Sequence, residues 1–574
     1  MISSELREAA RLADPVDPGS GAPPTEETGS AADPARVAEM LRAGKVPLLE
    51  IPLERLPRSS VFHDAVERER REQSALAAEF STVAAALAAR GITPVLFKTP
   101  GGLPYRSSNV DLLVRPDQMK EVSDLLESLG HLKFPHYRED HKLLFRRFDR
   151  GRSAICIHLH EAVSWGKVTI LPGDQVVARA RRVEGAGYAV AGREDLLLIT
   201  LAHSLYETDQ IRLADLRVLR LCAALPGFDW AQVEERAAVA RWSRGLASIL
   251  TLAVALERSV YGSTKVPDAV VASARSLVDE RRWTRAHVSG VIARLDGARE
   301  APMPFPLSKL WSKAHAGAVM LRAPGRAAGE RLEDLVSTAW SLLANRLRLR
   351  CRPPILVSLT GLDGSGKSSA IRALADAMTL CEIPVAVVWS RGGFTTPARA
   401  VKKAARSVMG PRLPGPEAAE DKRRWLAGPI AGGLFAALVA AEQSFHYLAR
   451  VRVPRWLGRS ILCDRFVHDV LADLEAKLGA GRPAAALAGR VAVAAAPRPD
   501  LAFLLRLDPR QAALRKPGDV PPSQLDRQAE IFDRLAAAHG LLVVDAARPD
   551  DEVIGELVDR VLRETFARFS GERP

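Results

Sequence analysis

Cysteine and aromatic residues are scarce in this chain, and no apolar run reaches the length of a membrane span. The five cysteines, Cys156, Cys222, Cys351, Cys381 and Cys463, stand far apart and form no CxxC pair. That argues against a zinc site and a disulfide framework, and it fits a reducing, cytoplasmic setting. Aromatics make up only 5% of the residues, and no RNA- or DNA-reading signature with interleaved aromatics accompanies the basic charge. There is no GxSxG elbow and no paired Cys–His motif, so nucleophilic hydrolase chemistry finds no support. The most apolar stretch, residues 426–441 (LAGPIAGGLFAALVAA), contains a Pro and several Gly and runs into Glu442 and Gln443. A spanning helix needs about 20 apolar residues, so a buried helix and no membrane span are expected. The N-terminus lacks the basic start and apolar core of a signal peptide. Residues 1–33, rich in Pro, Gly, Ser and acidic side chains, are expected to form a disordered leader.

Positive charge is abundant. Lys and Arg number 81 against 68 Asp and Glu, a net charge of +13, with local clusters at 68–71, 346–352 and 402–406. Such an excess suits contact with polyanions: nucleotides, nucleic acid or an anionic surface. A solvated arginine-rich surface explains it more simply than a dedicated nucleic-acid face, and nucleic acid stays open as a partner. With 574 residues, 47% of them apolar and 26% charged, the chain reads as a globular protein of about three folded units.

After the leader, residues 34–90 carry an Ala-rich helical pattern. Residues 94–97 and 110–114 read as short strands joined by a Gly/Pro turn. A helix is expected at 116–130, opened by Pro116 and closed by Gly130, and a strand at 153–160 (SAICIHLH). Apolar spacing of three and four makes 193–292 helical throughout. Residues 301–306 read as a proline-rich hinge, and helices over 307–350 lead to Pro353–Pro354, a natural boundary. No internal repeat occurs at periods of about 20–50 residues. The expected divisions are a leader (1–33), an α+β domain with helical flanks (34–225), a helical connector (226–352) and an α/β domain (353–574).

The most specific signal follows Pro354. Residues 355–360 (ILVSLT) form the apolar, β-branched run of a buried parallel strand. The strand enters Gly361-Leu362-Asp363-Gly364-Ser365-Gly366-Lys367-Ser368-Ser369, and a helical pattern begins at once. This is GxxxxGK[ST] in its strand–loop–helix setting. Glycines let successive N–H groups turn toward phosphate oxygens, and the helix N-terminus adds its positive end. Lys367 is expected to bridge the β- and γ-phosphates of ATP, and Ser368 to give a hydroxyl to Mg²⁺. Further strands are expected at 385–389, 461–463, 502–507 and 541–544, an α/β rhythm. Ligands of open α/β sheets sit at the carboxyl ends of the strands. That singles out Arg391, Asp464 (a second Mg²⁺ partner) and Arg465, whose guanidinium can clamp an acceptor anion bidentately.

Residues 355–568 resemble the thymidylate kinase family on three blocks: GLDGSGKSS, ILCDRFVHDVLADL and PDLAFLLRLDPRQAALRKPGD. The resemblance implies a P-loop NTPase fold, a parallel sheet with flanking helices, using ATP and Mg²⁺. It places Asp363 on the loop acid that helps hold the acceptor, and Asp464, Arg465 and Phe466 on the DR[YFW] motif. It also places Arg515 and Lys516, with Arg527 as a further charge, in the lid over ATP. A nucleoside monophosphate is the favoured acceptor, and a homodimer is implied. The family's Arg-Glu-Pro-Gly motif after the second strand reads Trp389-Ser390-Arg391-Gly392-Gly393 here, so dTMP itself is not indicated.

Residues 85–225 resemble the uncharacterised nucleotidyltransferase family of the DNA polymerase β-like superfamily, through Lys98, a strand like the family's R-x-x-x-D-x-D-L-L-V in which Arg106 sits one residue closer, and a later strand in the place of its D-[IL]-H. Two carboxylates two residues apart point the same way from a strand and together hold Mg²⁺. Here Asn109 stands where the first is expected, Asp111 is the second, and His158 takes the place of the third acid, followed by His160. His203, Asp209, Arg212 and Asp215 match the family's following helical segment. A degenerate second site at Lys98, Asn109, Asp111 and His158 is therefore expected. The main expectation is an ATP-dependent phosphotransferase. The alternatives are an ATP-binding regulatory or scaffold protein, and an active nucleotidyltransferase in the N-terminal half.

Overall fold

The computed structural model describes residues 3–16, 32–99, 109–134, 141–297, 303–322, 327–346, 354–390, 429–478, 483–516 and 522–570. The chain divides into two compact units, one of Met1–Arg147 with Ala154–Leu342 and the other of Phe148–Ser153 with Leu343–Pro574.

In the first unit, nine strands make up a main sheet and a hairpin: β1 (Val95–Leu96), β2 (Val110–Leu113), β3 (Leu132–Phe134), β4 (Lys142–Asp149), β5 (Arg152–His160), β6 (Ala162–Trp165), β7 (Val168–Pro172), β8 (Arg181–Arg182) and β9 (Ala189–Val190). The main sheet runs β3-β4-β5-β2-β1-β9-β8, and β6 pairs with β7. β2 lies antiparallel to β1 and parallel to β5, in a register that sets Asp111 opposite His158 and Leu113 opposite His160. Leu112 and Leu159 are fully buried in a core under this sheet with Phe80, Leu87, Val122 and Leu126. Alternation along the strands then sends Asp111, His158 and His160 to the other face.

A second, larger core joins helices from both ends of the unit, from Leu6 to Met320. Residues beyond 226, expected to be a separate connector, contribute Trp242, Leu250, Val271 and Trp311 to it. The leader also departs from expectation. Residues Ser4–Ala13 form a helix capped by the Ser3 side chain, with Leu6, Ala9, Ala10, Leu12 and Ala13 buried. Burying Leu6 and Leu12 contributes ~1.5–3 kcal/mol each; the Pro- and Gly-rich residues that follow mask this short amphipathic pattern when composition is averaged over 33 positions. Of the expected hinge at 301–306, residues 301–302 lie outside the described residues, and its end is tied in: β11 (Phe305–Pro306) pairs antiparallel with β10 (Gln210–Ile211).

The leader helix is anchored by charge as well. Asp14 grips Arg220 through Nε–Oδ1 at 3.1 Å and Nη2–Oδ2 at 2.7 Å, while Arg220 Nη1 donates to Glu257 Oε1 at 2.9 Å. All three are buried, and Glu257 also accepts from Thr264 Oγ1 at 2.5 Å and the Lys265 N–H at 3.0 Å.

The second unit carries five parallel strands: β12 (Leu356–Gly361), β13 (Val385–Trp389), β14 (Ser460–Asp464), β15 (Leu501–Arg506) and β16 (Leu542–Asp545). Their order is β13-β14-β12-β15-β16, with every pairing parallel. β12 is central and buried along its whole length, as its apolar sequence requires. The chain runs from β12 to one side of the sheet and later to the other, so a crevice opens at the carboxyl ends beside β12. Helix Pro429–His446 covers most of the apolar stretch noted above and packs on helix Pro483–Ala495. Among the described residues, no helix is long and apolar enough to cross a membrane.

Removing one partner of a buried charge cluster leaves the rest uncompensated. Asp14→Ala is expected to destabilise the first unit by about 3 kcal/mol, read as a lower urea midpoint. An unchanged midpoint would contradict the role assigned to the leader helix.

Candidate functional site

In the second unit the end of β12 is pressed against its neighbour. Gly361 has φ +144°, and a Cβ there would lie 2.5 Å from the Leu505 carbonyl oxygen. Gly364, at φ +91°, also approaches the Ala512 carbonyl of helix Pro509–Arg515, leaving 2.9 Å for a Cβ. The chain curls between these glycines and enters helix Lys367–Leu380 directly after Gly366. Lys367 is buried and turned back on the loop, donating to the carbonyls of Gly361 at 2.9 Å and Leu362 at 2.6 Å. Ser368 Oγ donates to Asp464 Oδ2 at 2.6 Å. Asp464 closes β14 opposite Leu359 of β12, so strand register brings these two residues together.

Arg465 follows with φ +72°, and its N–H donates to the Leu359 carbonyl at 3.0 Å. Its guanidinium pairs with Asp363 of the loop and lies 3.5 Å from Asp469. Asp469 is buried, which raises its pKa; Arg465 and Lys367 oppose that rise. It accepts from Thr360 Oγ1 at 2.5 Å and from the Phe466 N–H at 3.1 Å. The pocket at this crevice is lined by Asp363, Gly364, Gly366, Lys367, Ser368, Ser369, Trp389, Asp464, Arg465, Arg515 and Lys516. Ser365 is buried within the loop. Arg391 lies outside the described residues, and Arg527 is exposed on helix Pro522–His539, apart from this pocket.

In the first unit a charged network gathers on the face of β2 and β5. Asp111 Oδ1 lies 3.0 Å from Lys98 Nζ, 3.2 Å from His160 Nε2 and 3.4 Å from His158 Nδ1. Burial opposes the charged form of Asp111, but Lys98 and the hydrogen bonds from the two imidazoles outweigh it and hold the carboxyl well below the usual range. The Asn109 amide nitrogen is 2.7 Å from His158 Nδ1. His160 rests edge-on against Phe97, with ring centroids 4.9 Å apart.

Glu207, at the end of helix Arg193–Tyr206, adds a second carboxylate. It accepts from Lys98 at 3.1 Å and from Trp165 Nε1 at 2.7 Å, and it lies 3.3 Å from His203 Nε2. Burial would depress the Lys98 ammonium, yet Asp111 and Glu207 together raise its pKa. Burial pushes His203 down to about 4 and Asp215 up to about 6, although Arg212 beside Asp215 opposes the latter. Lys45, Lys98, Asn109, Asp111, His203, Glu207, Arg212 and Asp215 all line one pocket. Asp209 lies outside it, its carbonyl accepting from the Leu307 N–H at 2.8 Å.

Residues 48–257 match the model of a family described as "Uncharacterised nucleotidyltransferase". The chain is also similar to curated kinases. It is 29% identical over 238 residues to the thymidylate kinase of Symbiobacterium thermophilum, a match covering 38% of this chain and 99% of that protein. It is 26% identical over 216 residues to a probable thymidylate kinase of Pyrobaculum aerophilum, covering 36% and 97% respectively. Against the thymidylate kinase of Paracidovorax citrulli the identity is 28% over 222 residues, covering 35% and 90%. A nucleotidyltransferase-like part is fused to a thymidylate kinase-like part.

In the kinase-like part, the loop, Ser368, Asp464, Arg465 and Arg515 come together around one crevice at the carboxyl ends of the strands. In the nucleotidyltransferase-like part, Lys98, Asn109, Asp111 and His158 also meet. The sequence reading missed Glu207, Lys45 and Trp165. Glu207 sits one helical turn past His203, a spacing of four that was available as a signal; Lys45 and Trp165 carried none.

His131, His203 and His315 are each pushed down to about 4, by burial above all. Their folded pKa lies below the unfolded value of about 6.5, so the unfolded chain binds more protons between pH 6.5 and 4. The stability from keeping them neutral is full above pH 6.5 and is lost as pH falls through that window. Asp215, raised to about 6, works the other way below that pH but is one group against three, so the urea midpoint of the first unit is expected to fall from pH 6.5 to 5. A flat profile would contradict these burials.

Proposed function

We propose that the thymidylate kinase-like part is a P-loop phosphotransferase that moves the γ-phosphoryl group of ATP to a nucleoside monophosphate. The observation that carries this reading is the joining of three groups at one crevice: the curled loop after β12, the buried Lys367, and the Ser368–Asp464 contact of 2.6 Å. The glycines permit the curl itself, since a side chain at Gly361 or Gly364 would collide with the Leu505 or Ala512 carbonyl and force the loop out of this path. The kinase relatives add independent support for a nucleotide as substrate.

The loop N–H groups and the start of helix Lys367–Leu380 would hold phosphate oxygens. Lys367, now satisfied by two loop carbonyls, would exchange them for the more negative β- and γ-oxygens. Bound Mg²⁺ would neutralise charge on the phosphates, and Ser368 with Asp464 is the pair of oxygen donors that fits it. Arg465, aimed by Asp363 and Asp469, would take the acceptor's phosphate, with Arg391 as a second contact. Arg515 and Lys516 would approach from the opposite wall and exclude water. An acceptor that is already a phosphate anion needs no protein base.

The test is ADP release measured over a panel of nucleoside monophosphates and sugars with Mg²⁺ present. At least one nucleoside monophosphate is expected to stimulate release. Lys367→Ala is expected to lower kcat by ~100–1,000-fold, and Arg465→Ala to raise the acceptor KM most. ATP binding without acceptor-dependent turnover would point to the scaffold alternative instead.

A further inference from the structure

The donor set of the nucleotidyltransferase-like part disagrees with the metal its resemblance implies. Mg²⁺ takes oxygen ligands in near-ideal octahedral geometry, and a nucleotidyltransferase supplies them from paired carboxylates. Here the strand that should carry a pair offers Asn109 and Asp111, and the facing strand offers two imidazoles. Among the described residues, Asp111, His158 and His160 form the one group whose ligand atoms all lie within 4.8 Å of one another. Two nitrogens and a single carboxylate are a poor site for Mg²⁺ and a good one for zinc-like or iron-like ions.

We infer that Asp111, His158 and His160 bind a divalent transition-metal ion of the zinc(II) or iron(II) type, through two imidazole nitrogens and one carboxylate oxygen. Three observations support the geometry. First, a tetrahedral ion with bonds of about 2.0–2.1 Å sets its ligand atoms roughly 3.3–3.4 Å apart. Asp111 Oδ1 lies 3.2 Å from His160 Nε2 and 3.4 Å from His158 Nδ1, so both carboxylate–imidazole edges match that spacing, and all three ligand atoms lie within 4.8 Å of one another.

Second, the ligands stand on rigid elements. His158 and His160 project from one face of β5, and β2 holds Asp111 beside them by parallel pairing at Asp111–His158. The edge-on contact with Phe97 fixes the His160 ring. Third, the Lys98 ammonium that neutralises Asp111 has a second carboxylate, Glu207, at 3.1 Å. It can keep that partner when an ion takes Asp111. The pocket beside Asp111, lined by Asn109 and Thr99 among others, leaves a side for water or a ligand to complete the coordination. This inference does not depend on the kinase reading, since every residue it uses lies in the other unit.

The test uses the full chain, stripped with chelator and titrated with Co²⁺, whose visible d–d absorption reports coordination directly. One equivalent is expected to bind, without a thiolate charge-transfer band, and Zn²⁺ is expected to displace it. His158→Gln and Asp111→Asn are each expected to weaken binding by at least ~100-fold, beyond the effect typical of groups behind the ligands. Because Asp111→Asn also disturbs Lys98, circular dichroism on both variants separates lost ligation from lost folding, and the less buried His158 provides the cleaner variant. Mg²⁺ in large excess is expected to leave Co²⁺ in place. The inference is overturned if the stripped chain binds no Co²⁺ above the level of a folded His158→Gln variant. Displacement of Co²⁺ by comparable Mg²⁺ would overturn it too, since that marks a retained oxygen-ligand site.

Discussion

The last residue of β12 lies so near the neighbouring strand that no side chain fits there. A Cβ on Gly361 would sit 2.5 Å from the Leu505 carbonyl oxygen, and everything at the crevice depends on that closeness. Because β12 is held between β14 and β15 in parallel register, its carboxyl end points at a fixed place. The loop can then curl, pass Ala512 at Gly364, and start a helix at Lys367. The same register sets Asp464 level with Leu359, which is why Ser368 and Asp464 meet although 96 positions separate them. A bulkier residue at Gly361 would push β15 away and disturb both contacts together.

In the other unit the organising interaction is a half-buried carboxylate shared by three donors. Asp111 faces Lys98, His158 and His160, and Lys98 is divided between Asp111 and Glu207. Such a network is costly to bury unless every member is paired. Its composition, two imidazoles and an ammonium around one carboxylate, differs from that of a carboxylate-rich magnesium site.

Local patterns were legible in the sequence. The strand–loop–helix around Gly361 and the strand ends at Trp389 and Asp464 could be read because each is encoded within about ten residues. The parallel sheet followed from apolar runs separated by helices. Other features were not legible, for physical reasons. Two-residue strands such as Arg181–Arg182 and Ala189–Val190 exist only because neighbours pair with them. The β6–β7 hairpin and the long β4 strand mix polar and apolar residues without clean alternation. The helix Ser4–Ala13 packs on helix Pro34–Ala43 and also on helices Leu213–Ala224 and Ser243–Tyr261, some two hundred positions on, and Asp14 at its end pairs with Arg220. Lys45 lines the pocket beside Asp111 from a turn that carries no motif. The kinase-like crevice was readable because its chemistry is concentrated in one loop and one strand end.

The most direct test of the account is calorimetric titration of ATP with Mg²⁺ into the full chain and into Lys367→Met. One ATP per chain is predicted for the parent protein, with affinity about 10–100-fold weaker in the variant, the range for losing a charge-assisted hydrogen bond. No binding by the parent protein, or equal binding by both, would contradict the assignment of the loop after β12 as the phosphate site.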